Sequence, residues 1–396
     1  MVTSTRQQVI DAVWGGSLPR AAPDQVTGTE QVYGLNGKTS SDRVNVAKCL
    51  RFKLPGDLWS RVQVSWPKKQ PRNMALIYCS GHESDPIHNT RTLYPALDAG
   101  LIVAETYMLL YHSDEAPYAN QHAPATYYFP DGSTLPVAVH NDMAAVAASG
   151  GHPIRVHLDP IFRTVGYLRS QGIKRIGITG VSGGGWRSLM AAALDAEIDF
   201  VASMHGWCPF GAIGEPARDY EQTAPILYSD RGMGYEDYSA MVGVRRQLIT
   251  TGDVDPVFGP AKLGGQSVID TMVAGIQARG ANLSQQTFAG DHSVAAAEVA
   301  WILAEFTALG CPYYEAPMWI GALQTAIDLV RIVNALAGYP ARGTDAVTYV
   351  NTGPGEGRVY LSTQDYARLY DSSQVATLSL GDQTIVTTER GSFTSR

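Results

Sequence analysis

The sequence predicts an α/β protein, with a mostly parallel central sheet covered by helices on both faces. Three observations carry this expectation. Apolar runs of strand length, such as MALIYC at 74–79, recur between stretches of helix length and composition. The links between them are short, which makes the helices crossovers between parallel strands. At the front, two strand-like runs over 46–54 and 60–66 are separated by Pro55-Gly56-Asp57, a turn signal that gives the sheet an antiparallel start.

The remaining elements follow in order. Residues 92–99 read as a helix and 101–104 as another buried strand. Residues 105–157 break the alternation with a run rich in Tyr, His, Pro and Gly, and a long irregular insertion of this kind reads as a lid or binding loop. A helix over 160–171 leads to a strand at 175–179 and a helix at 183–194. Strands at 199–204 and 246–251, a helix at 268–279, a strand at 283–288 and a helix at 294–308 complete the pattern. Beyond Gly310 the character changes. Residues 322–337 read as one more helix, and ATLSLGDQTIVTT reads as a hairpin around Gly381-Asp382. The expected organisation is an N-terminal arm (1–44) with one short helix near Arg6–Trp14, the α/β domain (45–310) with its lid-like insertion, a helical extension (311–342) and a small β-rich C-terminal appendage (343–396).

Composition bounds the function. Of 396 residues, 45% are hydrophobic and 17% charged, which excludes a disordered chain. The net charge of -7 argues against a general nucleic-acid coat or a basic membrane-surface protein. No apolar run approaches the roughly 18 residues of a membrane span. The start, MVTSTRQQVIDAVWGG, lacks a basic segment followed by an apolar one, so no secretory signal is expected. Synthesis in the cytoplasm follows, with the final site, cytoplasmic or particle-associated, left open. Cys49, Cys79, Cys208 and Cys311 are scattered without a C-x-x-C pair, so neither a zinc knuckle nor a disulfide framework is expected.

The chemistry is concentrated in RIGITGVSGGGWRSLMAAALD. Gly180-Val181-Ser182-Gly183-Gly184 matches G-x-S-x-G between a buried strand and a helix, the context that pattern requires. A serine on so tight a turn tolerates no bulky neighbours, and the helix N-terminus beneath it presents unpaired N–H groups. A nucleophilic serine needs a base and a group to orient that base. Downstream of Ser182 the histidines are His205 and His292. His205 comes just past the next strand, too early in the chain for the base. His292, in Gly290-Asp291-His292-Ser293, follows the last strand of the domain, where the base belongs. For the acid, the strand QLITT runs into Gly252-Asp253-Val254-Asp255. The G-x-x-D spacing favours Asp255, with Asp253 as the alternative and Asp291 a poorer one. The oxyanion donors expected are the backbone N–H groups of Gly183 and of His82, with Gly81 as the alternative to His82.

These motifs make the chain resemble the α/β-hydrolase superfamily over about residues 45–310. Within it, SGGGW followed by AAALDAEI and RDYEQ resembles an esterase-like subgroup near the acetyl-xylan-esterase and dienelactone-hydrolase relatives. The resemblance implies Ser182 as nucleophile, Asp255 before Pro256-Val257-Phe258 as acid and His292 as base. Asp219-Tyr220-Glu221-Gln222 match the subgroup's acidic run. Pro256 and Val257 stand where the subgroup carries a cysteine pair in its acid loop.

The expected function is a serine carboxylic-ester hydrolase working through an acyl-enzyme, with an acetyl or other short acyl ester on a glycan as first substrate. No metal or organic cofactor is implied. Trp186, Trp207, Tyr111 and Glu221 are substrate-binding candidates, because aromatic platforms suit sugars. Two alternatives remain. A serine peptidase or amidase would use the same triad. A structural component of a larger assembly, such as a virion, would use the fold as a scaffold. The tail has few large apolar residues with which to form its own core, so residues 1–44 and 343–396 are the expected contacts with a partner or a second copy. Neither nucleic acid nor membrane is expected as a partner.

Overall fold

The computed structural model describes residues 5–28, 43–55, 58–68, 72–81, 86–108, 125–129, 131–138, 142–207 and 219–310, together with six strands beyond residue 316. Its centre is a nine-stranded sheet. The strands are β1 (Gln25–Gly28), β2 (Val44–Lys53), β3 (Trp59–Pro67), β4 (Met74–Cys79), β5 (Ile102–Thr106), β8 (Arg175–Val181), β9 (Phe200–Met204), β10 (Arg246–Gly252) and β11 (Leu283–Phe288). Their order across the sheet is β1-β2-β3-β5-β4-β8-β9-β10-β11. β1, β2, β3 and β5 pair antiparallel in that order, an antiparallel start as the front turn signal predicts, and from β5 across to β11 the strands are parallel to one another.

The sheet is buried on both faces, which explains why its central strands are apolar throughout. Every residue of β4 is buried. Ala75, Ile77 and Cys79 face one core cluster and Met74, Leu76 and Tyr78 the other, following the two-residue period of a strand. The first cluster takes in α4 (Pro153–Ser170), α5 (Gly183–Leu194), α7 (Tyr235–Val242) and α8 (Gln266–Gln277). The second holds α2 (Pro86–Asp98) and α9 (Ala296–Ala308).

The N-terminal segment is more integrated than an arm. Its helix α1 (Arg6–Trp14) places Val9, Ile10 and Val13 in the first core cluster. The indole N–H of Trp14 donates to Asp159 at 2.7 Å. Arg20 pairs with Asp195 through both guanidinium nitrogens, each at 2.7 Å. β1 then extends the sheet edge. The insertion also carries structure: β6 (Ala125–Tyr128) pairs with β7 (Thr134–Val137), and α3 (Asp142–Ala148) follows. The short α6 (Tyr220–Thr223) precedes α7.

Beyond the domain, β12 (Pro317–Gly321), β13 (Val347–Gly353) and β14 (Glu356–Leu361) form one three-stranded sheet. β15 (Thr377–Leu380), β16 (Gln383–Thr387) and β17 (Phe393–Ser395) form another. Leu380 and Gln383 are register partners, so the hairpin read from Gly381-Asp382 is present. The helix expected at 322–337 lies outside the described residues.

One buried carboxyl makes stability depend on pH. Glu105 in β5 is 1% exposed, and burial raises its carboxyl to about 8 against the opposing pull of a hydrogen bond with Tyr107. An unfolded chain would release that proton near the ordinary value of 4.5. Between these two pH values the folded state therefore holds a proton that the unfolded state has lost, and stability falls as pH rises through the window. The slope is about 1.4 kcal/mol per pH unit. Glu105→Gln should melt at a temperature that gains on wild type from pH 5 to pH 8. A difference in Tm that is constant across that range would contradict the buried, neutral carboxyl.

Candidate active site

Four neighbouring parallel strands deliver the polar groups of the site at their C-terminal ends. Ser182 directly follows β8 and His205 directly follows β9, the loop after β10 carries Asp255, and the loop after β11 carries His292. Open α/β sheets place ligand sites at this edge.

Ser182 sits on the turn between β8 and α5 with φ 58° and ψ -126°. Among the described residues, Ser182 and His205 are the non-glycine residues with positive φ. Such strain persists only where the surroundings hold it, and it collects at functional sites. The backbone around Ser182 is held from both sides. Its N–H donates to the carbonyl of Met204 at 2.9 Å, and its own carbonyl accepts from Trp186 N–H at 3.1 Å. The glycines of the motif are required by space: a Cβ on Gly184 would lie 2.0 Å from the carbonyl oxygen of Cys79, and one on Gly180 2.3 Å from the same atom. Gly183 opens α5, where a backbone N–H has no intrahelical acceptor. Gly81, after β4, packs against the same turn: a Cβ there would lie 2.7 Å from the carbonyl oxygen of Val181. The preceding Ser80 anchors this loop to β5 by donating its N–H to the Thr106 carbonyl at 3.0 Å. His82 lies outside the described residues, as does Tyr111.

The candidates for acid and base are in contact. His292 Nδ1 is 2.9 Å from Asp255 Oδ2. Asp255 Oδ1 accepts the N–H groups of Val257 at 2.7 Å and Phe258 at 2.9 Å. His205 Nδ1 also lies 2.9 Å from Asp255 Oδ2. The acid therefore has four donors. Burial alone would raise its carboxyl. The hydrogen bonds from His205 and His292, the charge of His292 and the Phe258 N–H outweigh that and hold it well below the usual carboxylate range. Ionised, Asp255 fixes His292 with Nδ1 protonated, which leaves Nε2 as the nitrogen able to take a proton. The His292 side chain is 22% exposed and the Asp255 side chain 0%, an accessible base on a buried acid. Asp253 is exposed and accepts the Gly290 N–H at 2.8 Å, so it ties the acid loop to the base loop. Asp291 is exposed.

Trp186 is a core residue: it is 0% exposed and donates its indole N–H to the Tyr228 hydroxyl at 2.8 Å. The residue lies one helical turn into α5, so its ring points into the apolar cluster beneath the sheet, away from any surface a substrate could reach. Trp207 and Glu221 are likewise fully buried. Glu221 provides negative charge to Arg187, whose guanidinium donates to the carbonyls of His157 and Thr106. The acidic run Asp219–Gln222 forms a helix-start box, with Gln222 accepting the Asp219 N–H at 3.2 Å. A cavity of about 470 Å³ lined by Val13, Ala147, His152 and Tyr220 contains none of the groups at the strand ends.

Among the described residues, the cluster with metal-ligand character is His205, Asp255 and His292. Both imidazole Nδ1 atoms approach the same carboxylate oxygen at 2.9 Å, a hydrogen-bond length in which each nitrogen spends its proton on the acid. That arrangement is a shared acid with two imidazole donors.

The strand order, the start of α5 at a serine with positive φ, and an aspartate and a histidine in contact on the loops after β10 and β11 decide the fold. The chain has the α/β-hydrolase fold. No family model matches it, and no curated protein matches it in sequence. Solved structures are similar to it. A methylesterase superposes with a TM-score of 0.48 at 13% identity, over 78% of this chain and 62% of its own length, so this chain spans less than two thirds of that protein. A glucuronoyl esterase from Solibacter usitatus gives 0.47 at 14% identity, over 76% of this chain and 91% of its own. Acetyl xylan esterase 1 from a Thermoanaerobacterium species gives 0.45 at 15% identity, over 75% and 90%.

His205 and its neighbour Glu298 are the site groups that sequence reasoning missed. The chain order of nucleophile, acid and base excludes His205 as the base, and nothing in that order points to a second histidine on the acid. One signal was available. A polar, ring-bearing residue stands at the C-terminal end of the strand between nucleophile and acid.

Proposed function

We propose that the protein is a serine hydrolase of carboxylic esters. The observation that carries the reading is the 2.9 Å contact between His292 Nδ1 and the ionised Asp255, on the loops after β10 and β11. In this reading Ser182 Oγ attacks the acyl carbon while His292 Nε2 takes its proton. The tetrahedral oxyanion receives the Gly183 N–H and a second N–H from the loop after β4, from His82 or Gly81. His292 returns the proton to the leaving alcohol, and water, activated by the same nitrogen, releases the acid.

Within this class, a short acyl group on a carbohydrate alcohol is the substrate to test first. The Tyr- and His-rich run over 105–157 supplies ring faces and hydrogen-bonding tips of the kind that hold sugars. Acetate release from an acetylated xylooligosaccharide should exceed hydrolysis of p-nitrophenyl palmitate and of acetyl-p-nitroanilide in kcat/KM. A higher kcat/KM on the anilide would replace the ester reading with an amidase. A higher value on the palmitate would replace the short acyl group with a long one.

A further inference from the structure

The group behind the acid is as constrained as the acid itself. His205 is 1% exposed and its φ is 50°, so its placement carries a backbone cost. Its N–H is held by the Thr250 carbonyl at 3.1 Å. The next residue, Gly206, passes so close beneath the nucleophile turn that a Cβ there would lie 2.4 Å from the Ser182 carbonyl oxygen. The imidazole is therefore built into the floor of the site. Among the described residues, the titratable groups facing its ring are three. Asp255 Oδ2 lies 2.9 Å from Nδ1, Glu298 Oε1 of α9 lies 3.6 Å from Nε2, and the His292 ring centre is 5.4 Å away, edge to face. Thr250 is the uncharged neighbour on β10.

Glu298 lies on the far side of this ring, its Oε1 3.6 Å from Nε2 and beyond hydrogen-bond length. It is fully buried, takes the Thr250 hydroxyl on Oε1, and accepts the Ala295 N–H on Oε2 at 2.6 Å. Burial pushes its carboxyl up, against the pull of His205 and these two donors. Two ionised carboxylates, each with a fully buried side chain, would place two uncompensated charges against one buried ring. Burial favours the protonated form of Glu298, which reduces that to one. Asp255 then keeps the single negative charge that His292 needs when it becomes imidazolium.

We propose that His205 is a positioning residue for the acid: its Nδ1–H fixes Asp255 Oδ2 and, backed by Glu298, limits how strongly Asp255 holds the proton of His292. The inference rests on the Ser182–His292–Asp255 reading and deepens it. Removing the His205 donor concentrates negative charge on Asp255 Oδ2. That tightens the hold on the His292 proton. The acid limb of the kcat/KM profile must therefore move to higher pH.

Two substitutions separate donor from packing. Asparagine tolerates the left-handed backbone and can present an amide N–H near the place of Nδ1, so His205→Asn preserves the donor. His205→Ala removes it. On p-nitrophenyl acetate, His205→Ala should lower kcat roughly 10- to 100-fold with KM within about twofold. Its acid limb should rise by roughly half a pH unit or more. His205→Asn should stay within about fivefold of wild-type kcat, with the limb in place. The proposal is overturned if His205→Ala keeps wild-type kcat and limb, or if both variants lose activity equally while remaining folded. Should His205→Ala not fold, His205→Asn decides alone: a folded Asn variant with less than about a tenth of wild-type kcat also overturns it. Ser182→Ala assayed alongside keeps the two claims apart. Turnover that survives in Ser182→Ala refutes the triad itself, whereas loss there with an indifferent His205→Ala refutes only the role of His205.

Discussion

Ser182→Ala should lower kcat on p-nitrophenyl acetate by about 10⁵- to 10⁶-fold, down to the residual rate that oxyanion donors and binding supply. The variant should fold as wild type does. The strain at φ 58° is a property of the backbone that alanine shares with serine, and the contacts that hold the turn are backbone hydrogen bonds from Met204 and to Trp186. The loss should fall on kcat with KM little changed, because Oγ acts in the transition state and contributes little to ground-state binding. Steady-state kinetics with a melting curve as control measure it. A loss of less than about 100-fold in a folded variant would mean that another group starts the reaction.

Asp255→Asn should cost about 10³- to 10⁴-fold in kcat. The reason is specific to this site. Each of the four neighbours of the carboxylate is a donor: the Nδ1 atoms of His205 and His292 and the N–H groups of Val257 and Phe258. An asparagine has one oxygen to offer. With its oxygen toward the imidazoles, its NH₂ meets two backbone N–H groups. With its NH₂ toward the imidazoles, each ring must turn its Nδ1 into an acceptor. His292 would then carry its proton on Nε2, where it cannot accept one from Ser182. KM should stay within a few-fold, since the Asp255 side chain is fully buried. Kinetics on p-nitrophenyl acetate read the split, and a loss below about tenfold would show that Asp255 does not set the tautomer of His292.

Much of this arrangement is legible in the chain because its physical requirements are local. A serine held on so sharp a turn needs glycine on both sides, and the clash that a Cβ on Gly184 would make with Cys79 is the reason G-x-S-x-G can be read at all. The strands of the central sheet are apolar on both faces, so MALIYC and its successors stand out, and their C-terminal ends point to Asp255 and His292. Between Asp253 and Asp255, spacing alone only weighted the choice. The difference lies in tertiary contacts, with one carboxylate capped by two N–H groups and two imidazoles and the other exposed at a loop junction.

What was hidden depends on contacts between distant segments. β6 and β7 are four residues each, and Pro136 interrupts the second, so no period rises above the Tyr-rich background. α1 and β1 are too short to announce that they belong to the domain; the core contacts of Val9, Ile10 and Val13 and the Arg20–Asp195 pair make them part of it. Trp186 reads as a binding aromatic beside the candidate nucleophile, yet its helical position turns it into the core. His205 and Glu298 lie 93 residues apart and meet only because β9 and α9 pack at the same end of the sheet.

The central claim is that Ser182 is an activated nucleophile, and covalent labelling by a fluorophosphonate probe tests it most directly. Intact mass should show one adduct on wild type, peptide mapping should place it on Ser182, and Ser182→Ala should remain unlabelled under the same conditions. An unlabelled wild type, or an adduct that persists in Ser182→Ala, would contradict the account.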